Sequence, residues 1–82
     1  MNKKIIVYGT VSCSYCVMLK KFLEEHKVEF EYVDVGADQE KAKEMVEKSG
    51  QMGVPVIEID GEIIVGFDKA KISRLLGIEN EN

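Results

Sequence analysis

The chain has no tryptophan, one proline, one histidine and two cysteines in 82 residues, and each shortage closes off a class of function. Two thiols and one imidazole fall short of the four ligands of a structural zinc site. Two cysteines three positions apart do not form a stabilising framework either. The chain-entropy gain from closing so short a loop is about 2 kcal/mol before strain, and a staple would join distant segments instead. Long apolar runs are missing too: after Met1-Asn2-Lys3-Lys4 only Ile5, Ile6, Val7 and Tyr8 precede Gly9. That is short of the roughly 7–15 apolar residues of a secretory signal and of the roughly 20 of a membrane span. Positive charge is also in deficit, with a formal net charge of −4, which argues against nucleic acid or an anionic membrane as partner. The expected molecule is a cytoplasmic monomer, in a compartment where thiols stay reduced. It makes a single domain over residues 1–82 with a frayed tail at 79–82.

What is present is regular alternation of strand and helix patterns. Residues 4–8 are a short apolar run suited to a strand buried on both faces. Gly9–Ser12 forms a loop, and Ser12 or Cys13 can cap the helix that follows. From Ser14 to about His26, Tyr15, Met18, Leu19, Phe22, Leu23 and His26 recur at helical spacing, opposite Lys20, Lys21, Glu24 and Glu25. Residues 28–35 alternate as a strand. Asp38 caps a second helix whose inner stripe is Ala42, Met45, Val46 and Ser49, and Gly50 ends it. Residues 54–59 and 62–65 flank Asp60-Gly61, a strong hairpin signal because a type I′ turn needs positive φ at both central positions. Gly66 breaks the second strand. Residues 68–76 form a last helix with Ile72, Leu75 and Leu76 inward, stopped at Gly77. The order is βαβαββα, an α/β chain whose first two strands are parallel through a right-handed crossover. This topology puts Cys13 at the carboxyl end of the first strand, where open α/β sheets bind ligands.

The chemistry lies in Cys13-Ser14-Tyr15-Cys16. A nucleophilic cysteine must be thiolate at neutral pH, whereas a free thiol has a pKa of about 8.5. A helix N-terminus offers unpaired N–H donors and the positive end of the macrodipole. The dipole alone supplies about 0.3–1 kcal/mol, up to ~2 when partly buried, so direct hydrogen bonds onto the sulfur must add to it. The spacing places Cys16 within the first turn, where its thiol can donate to Cys13 and later attack a mixed disulfide formed there. Cys13, nearer the helix end and more exposed, is the expected nucleophile; Cys16 is the expected resolving thiol. Two inert core thiols would need a less polar segment than one holding Ser12, Ser14 and Tyr15. A Cys-x-x-Cys beside a βαβ pattern is instead a redox signature. His26 suits the helix C-terminus better than a proton shuttle. Tyr15 suits either packing or the site; Met45 reads as core, whereas Met52 sits in a glycine-rich loop within reach of substrate. Pro55 opens a strand, where its missing N–H is tolerated.

Thr10-Val11-Ser12-Cys13-Ser14-Tyr15-Cys16, Gly53-Val54-Pro55 and Val65-Gly66-Phe67-Asp68 together resemble the glutaredoxins, in the family's order and spacing. The resemblance implies the thioredoxin fold, a four-stranded mixed sheet flanked by three helices, with a cis bond at Val54-Pro55 facing the cysteines. It implies glutathione as co-substrate, with no tightly bound cofactor and no metal. The backbone of Val54 would pair with the cysteinyl part of glutathione. Gly66, Phe67 and Asp68 would hold its γ-glutamyl end, Asp68 taking the amine. Thr10, Ser12 and Tyr15 beside the cysteines, and Gln51 and Met52 before Val54 and Pro55, complete the implied substrate surface. Three departures stand out. Ser14 replaces the usual proline, and some glutaredoxins with serine there share an iron–sulfur cluster between two subunits. Thr10 and Met52 stand where the family often has cations for glutathione's glycine carboxylate. A charge-assisted hydrogen bond is worth about 1.5–3 kcal/mol, so glutathione affinity falls by about tenfold or more on this reading.

The expected function is reduction of protein disulfides or glutathionylated proteins by dithiol exchange, with glutathione recharging the enzyme. By class, its potential lies near about −200 to −230 mV, against about −270 mV for thioredoxin. The alternatives are a redoxin recharged by thioredoxin reductase, of the type that serves ribonucleotide reductase, and an iron–sulfur scaffold. Gly66-Phe67 is similar to the ribonucleotide-reductase redoxins, but Val65 and Asp68-Lys69 replace the rest of their motif.

Overall fold

The computed structural model describes residues 3–78; the tail expected to fray at 79–82 lies outside them. The elements run β1 (Ile5–Gly9), α1 (Ser14–Glu25), β2 (Glu31–Asp34), α2 (Gln39–Ser49), β3 (Val56–Ile59), β4 (Glu62–Val65) and α3 (Lys69–Leu76). They form the expected mixed four-stranded sheet, in the order β2-β1-β3-β4. β1 and β2 are parallel, whereas β3 is antiparallel to both β1 and β4.

Alternation along the central strands fills both faces. Ile5 and Val7 of β1 with Ile57 and Ile59 of β3 point to one side, against Leu19, Phe22 and Leu23 of α1 and Ile72 of α3. Tyr8, Val56 and Val33 point to the other, against Met45 of α2. Each fully buried aliphatic side chain contributes about 1.5–3 kcal/mol. The second face closes with polar groups: Tyr8 Oη donates to Glu44 at 2.8 Å, and Lys48 Nζ reaches Glu58 at 2.7 Å.

The helices end where local chemistry ends them. Asp38 accepts from the N–H groups of Glu40 and Lys41, and Gly50 closes α2 in the left-handed region at φ 76°. Gly77 does the same for α3 at φ 73°. Asp60 and Gly61 take φ of 49° and 91°, as a type I′ hairpin demands.

Three expectations are corrected. The second strand is shorter than the 28–35 expected, because α1 ends in a Schellman motif built on Lys27 at φ 58°. Lys27 N–H donates to Glu24 O and Val28 N–H to Leu23 O; Val28 and Phe30 then cover the core as connecting chain. The third strand starts at Val56 rather than 54, since Pro55 has no N–H to give to a ladder; the Val54-Pro55 bond before it is cis. On α1, Tyr15 and Met18 are exposed, and Cys16, Leu19, Phe22 and Leu23 form the buried line. Residue 15 lies in the first turn, beyond the strand ends, and Met18 lies on the flank of that line.

Candidate active site

β1 delivers the chain to the start of α1, and register gathers the rest. Tyr8 pairs with Val56, and Val56 with Val65, so the carboxyl ends of β1 and β4 and the start of β3 lie at one end of the sheet. Cys13 is the N-cap of α1, with extended φ −89° and ψ 118°, and its Sγ accepts the Cys16 N–H at 3.1 Å. The sulfur thus fills the role usually taken by a serine or aspartate oxygen. No acidic side chain sits in the first turn of α1, so no carboxylate competes for the helix's positive end. Both cysteines are free; Cys13 is half-buried and Cys16 fully buried. Burial first, then the hydrogen bond with Cys13, pushes the Cys16 thiol up to about 11.

The loop before β3 faces this pair. Cys13 Sγ lies 4.0 Å from the Val54 carbonyl, and the Gly66 N–H donates to Pro55 O at 2.8 Å. Cys13, Cys16, Val54, Pro55 and Gly66 are therefore brought together. The other expected site residues take varied positions. Gln51 Oε1 accepts the Gly53 N–H at 2.7 Å while its Nε2 donates to Gly53 O at 3.1 Å, so its amide braces the loop. Tyr15 (61 % exposed) and Ser12 are exposed on either side of Cys13, and Met52 (80 % exposed) shares a surface hollow with Ala42 and Val46 of α2. Phe67 turns inward, edge-on to Phe22 at 5.7 Å. Asp68 caps α3 through the Lys71 N–H at 3.2 Å. Thr10 offers its carbonyl to Tyr32 Oη at 2.9 Å. His26 caps the far end of α1 with its ring 4.6 Å from that of Phe22.

Two further residues of this region, Gly9 and Tyr32, belong to none of the sequence motifs. Gly9 is buried at the end of β1, and a Cβ there would lie 2.6 Å from Tyr32 Oη and 2.8 Å from Cys16 Sγ. A glycine closing a buried strand just before Cys-x-x-Cys was the available signal. Tyr32 had none, because in an alternating strand it reads as ordinary packing. Burial first, then Cys16, pushes the Tyr32 phenol up to about 12.

The glutaredoxin family model matches residues 5–64. The chain belongs to the glutaredoxin family. An uncharacterised glutaredoxin-like 8.6 kDa protein in the rubredoxin operon of Clostridium pasteurianum is 44 % identical, over 88 % of this chain and 96 % of that protein. The glutaredoxin-like protein NrdH of Lactococcus lactis is 30 % identical over 87 % of this chain and 97 % of its own length. Among solved structures, methanoredoxin of Methanosarcina acetivorans superposes with a TM-score of 0.83 at 31 % identity, covering 92 % of this chain and 85 % of the other. This family member thus has the thioredoxin fold of glutaredoxin-like thiol–disulfide oxidoreductases. Among the described residues no group of three or more histidine, cysteine or acidic side chains could hold a metal ion, and no helix is long and apolar enough to cross a membrane.

Proposed function

We propose that this glutaredoxin reduces protein disulfides and glutathione mixed disulfides through Cys13 and Cys16, as a monomeric cytoplasmic domain recharged by glutathione. The observation that carries the reading is the asymmetric pair: a reachable Cys13 sulfur capping α1, with Cys16 sealed behind it. Cys13 thiolate attacks one sulfur of the substrate disulfide; that S–S bond breaks and the departing thiolate takes up a proton. Cys16, on losing its own proton, attacks Cys13 Sγ and expels the second substrate thiolate, leaving a Cys13–Cys16 disulfide. Two glutathiones return the two electrons, the first forming a mixed disulfide on Cys13 and the second leaving as glutathione disulfide.

The Val54 carbonyl beside Cys13 supports an extended thiol peptide aligned with that backbone. Gly66 and Asp68, at the same end, support a γ-glutamyl group there. A second reading, recharge by thioredoxin reductase, draws on Thr10 and Met52, which bring no cation to the glycine carboxylate, and on the similarity to NrdH. A coupled assay with each reductant separates the two. Turnover with glutathione and glutathione reductase is expected; turnover with thioredoxin reductase and none with glutathione rejects it.

A further inference from the structure

We propose that the Tyr32 hydroxyl is a positioning group for the resolving step, the hydrogen-bond donor that meets Cys16 Sγ as that sulfur becomes a thiolate. The inference rests on Cys16 being the resolving thiol. Its basis is the space left by Gly9. The point where a Gly9 Cβ would stand is 2.6 Å from Tyr32 Oη and 2.8 Å from Cys16 Sγ, so phenol and thiol flank the same point beside Gly9 at the end of β1. Tyr32 is held there by its register opposite Val7 and by packing against the α1-side core.

A phenol has one proton to give, and here it goes to Thr10 O at 2.9 Å. Rotation about the Cζ–Oη bond redirects it towards Cys16 Sγ. While Cys16 is a thiol, the arrangement favours Thr10, whose half-buried carbonyl otherwise lacks that donor. Once Cys16 has surrendered its proton to the departing substrate thiolate, the charge on sulfur makes it the stronger acceptor. The phenol stays protonated throughout, since burial and its neighbours push it up; it donates and does not act as base. Its effect on Cys16 is to lower the pKa, against the burial that raises it. Among the described residues, three charged or titratable groups act on this pair. Cys13 lies at the start of α1, Lys20 of α1 places Nζ 5.5 Å from the Tyr32 ring, and Asp34 of β2 acts on the phenol.

The test uses Tyr32→Phe, which keeps the ring and removes the donor. In a Cys13→Ser background, the Cys16 titration midpoint is followed by the carbon chemical shift of its labelled Cβ against pH. Loss of a hydrogen bond to a charged group is expected to raise the midpoint by about one unit. In the full dithiol protein, a glutathione mixed disulfide preformed on Cys13 should release glutathione about threefold more slowly in Tyr32→Phe. The thiolate fraction falls tenfold, and the greater nucleophilicity of a more basic sulfur restores part of it. Site-specific 3-fluorotyrosine at Tyr32, a more acidic phenol and stronger donor, should move the midpoint the other way, which a purely packing role would not do. Equal midpoints in all three proteins overturn the assignment while leaving Cys16 as resolver. Failure of the parent protein to release glutathione at all overturns both.

Discussion

The two ends of the sheet are built to opposite rules. At one, the amino end of β1 meets the hairpin: Asp60 N–H donates to Lys4 O at 2.9 Å, Lys4 N–H donates to Asp60 Oδ1 at 2.7 Å, and Lys3 Nζ sits 3.9 Å from Asp60 Oδ2. Backbone and side chain answer each other, and the rim is charged. At the other, Val11, Tyr15, Met52 and Val65 are exposed apolar side chains, and a half-buried sulfur caps a helix. The same strands supply both ends, so the difference lies in the loops. The closed end ties backbone and side chain together; the open end leaves apolar side chains and the Cys13 sulfur at the surface, the kind of patch that marks an interaction site.

The largest effect should come from breaking the open end at its second sulfur. Cys16→Ser is expected to abolish reduction of protein disulfides, measured by insulin turbidity, while deglutathionylation through Cys13 alone continues. A variant that keeps both activities contradicts the resolving role. Gly9→Ala tests the packing beneath the sulfurs. Its Cβ would collide with Tyr32 Oη and Cys16 Sγ, and overpacking of this kind costs about 1–3 kcal/mol. At roughly 4–8 °C of Tm per kcal/mol for a domain this size, calorimetry resolves it readily, and an unchanged Tm would place those groups elsewhere. Asp60→Ala works on the closed end. It removes the Lys4 hydrogen bond and a turn former at φ 49°, for about 1 kcal/mol, with kcat/KM unaltered. A loss of activity there would mean the two ends are coupled.

The smallest effect is in the pH dependence. Burial pushes the Cys16 thiol from the ordinary free-thiol range of about 8.5–9 up to about 11 in the fold, so between those values the unfolded chain has already lost a proton that the folded chain keeps. Stability from this group is intact below about pH 9 and lost as pH rises through about 11, each unit of difference being worth about 1.4 kcal/mol. Denaturant melts of Cys16→Ser should show a shallower decline over that interval than the parent. Parallel declines would contradict the burial argument.

Much of this architecture is legible from residues alone, and the exceptions share a cause. The hairpin at Asp60-Gly61, the stops at Gly50 and Gly77 and the cap at Asp38 are local, set by φ or by a side chain two or three residues away, and all stand where the pattern puts them. Met45 is buried and Met52 exposed, as helical spacing and a glycine-rich loop imply. Val28 and Phe30 alternate with acids as a strand does, but a lysine closing the helix in the left-handed region is not visible in that alternation. Tyr15 obeys the helical period and still faces outward, because period does not fix where the sheet stops beneath the first turn, and Met18 lies on the flank of the buried line Cys16, Leu19, Phe22 and Leu23. In the candidate site, Cys13 and Cys16 announce themselves by spacing. The cis bond at Val54-Pro55 came only with the family resemblance. Tyr32 reaches the Cys16 sulfur through register between β1 and β2, strands far apart in sequence, which no local pattern encodes; Gly9 has only the weak local mark of a glycine closing a buried strand.

The most direct measurement is labelling of the reduced protein with a single equivalent of iodoacetamide at neutral pH, followed by peptide mass mapping and residual activity. Modification at Cys13, with Cys16 untouched and activity lost in step, is the result the account predicts. Labelling of Cys16 as fast as Cys13, or full activity after Cys13 is blocked, would contradict it.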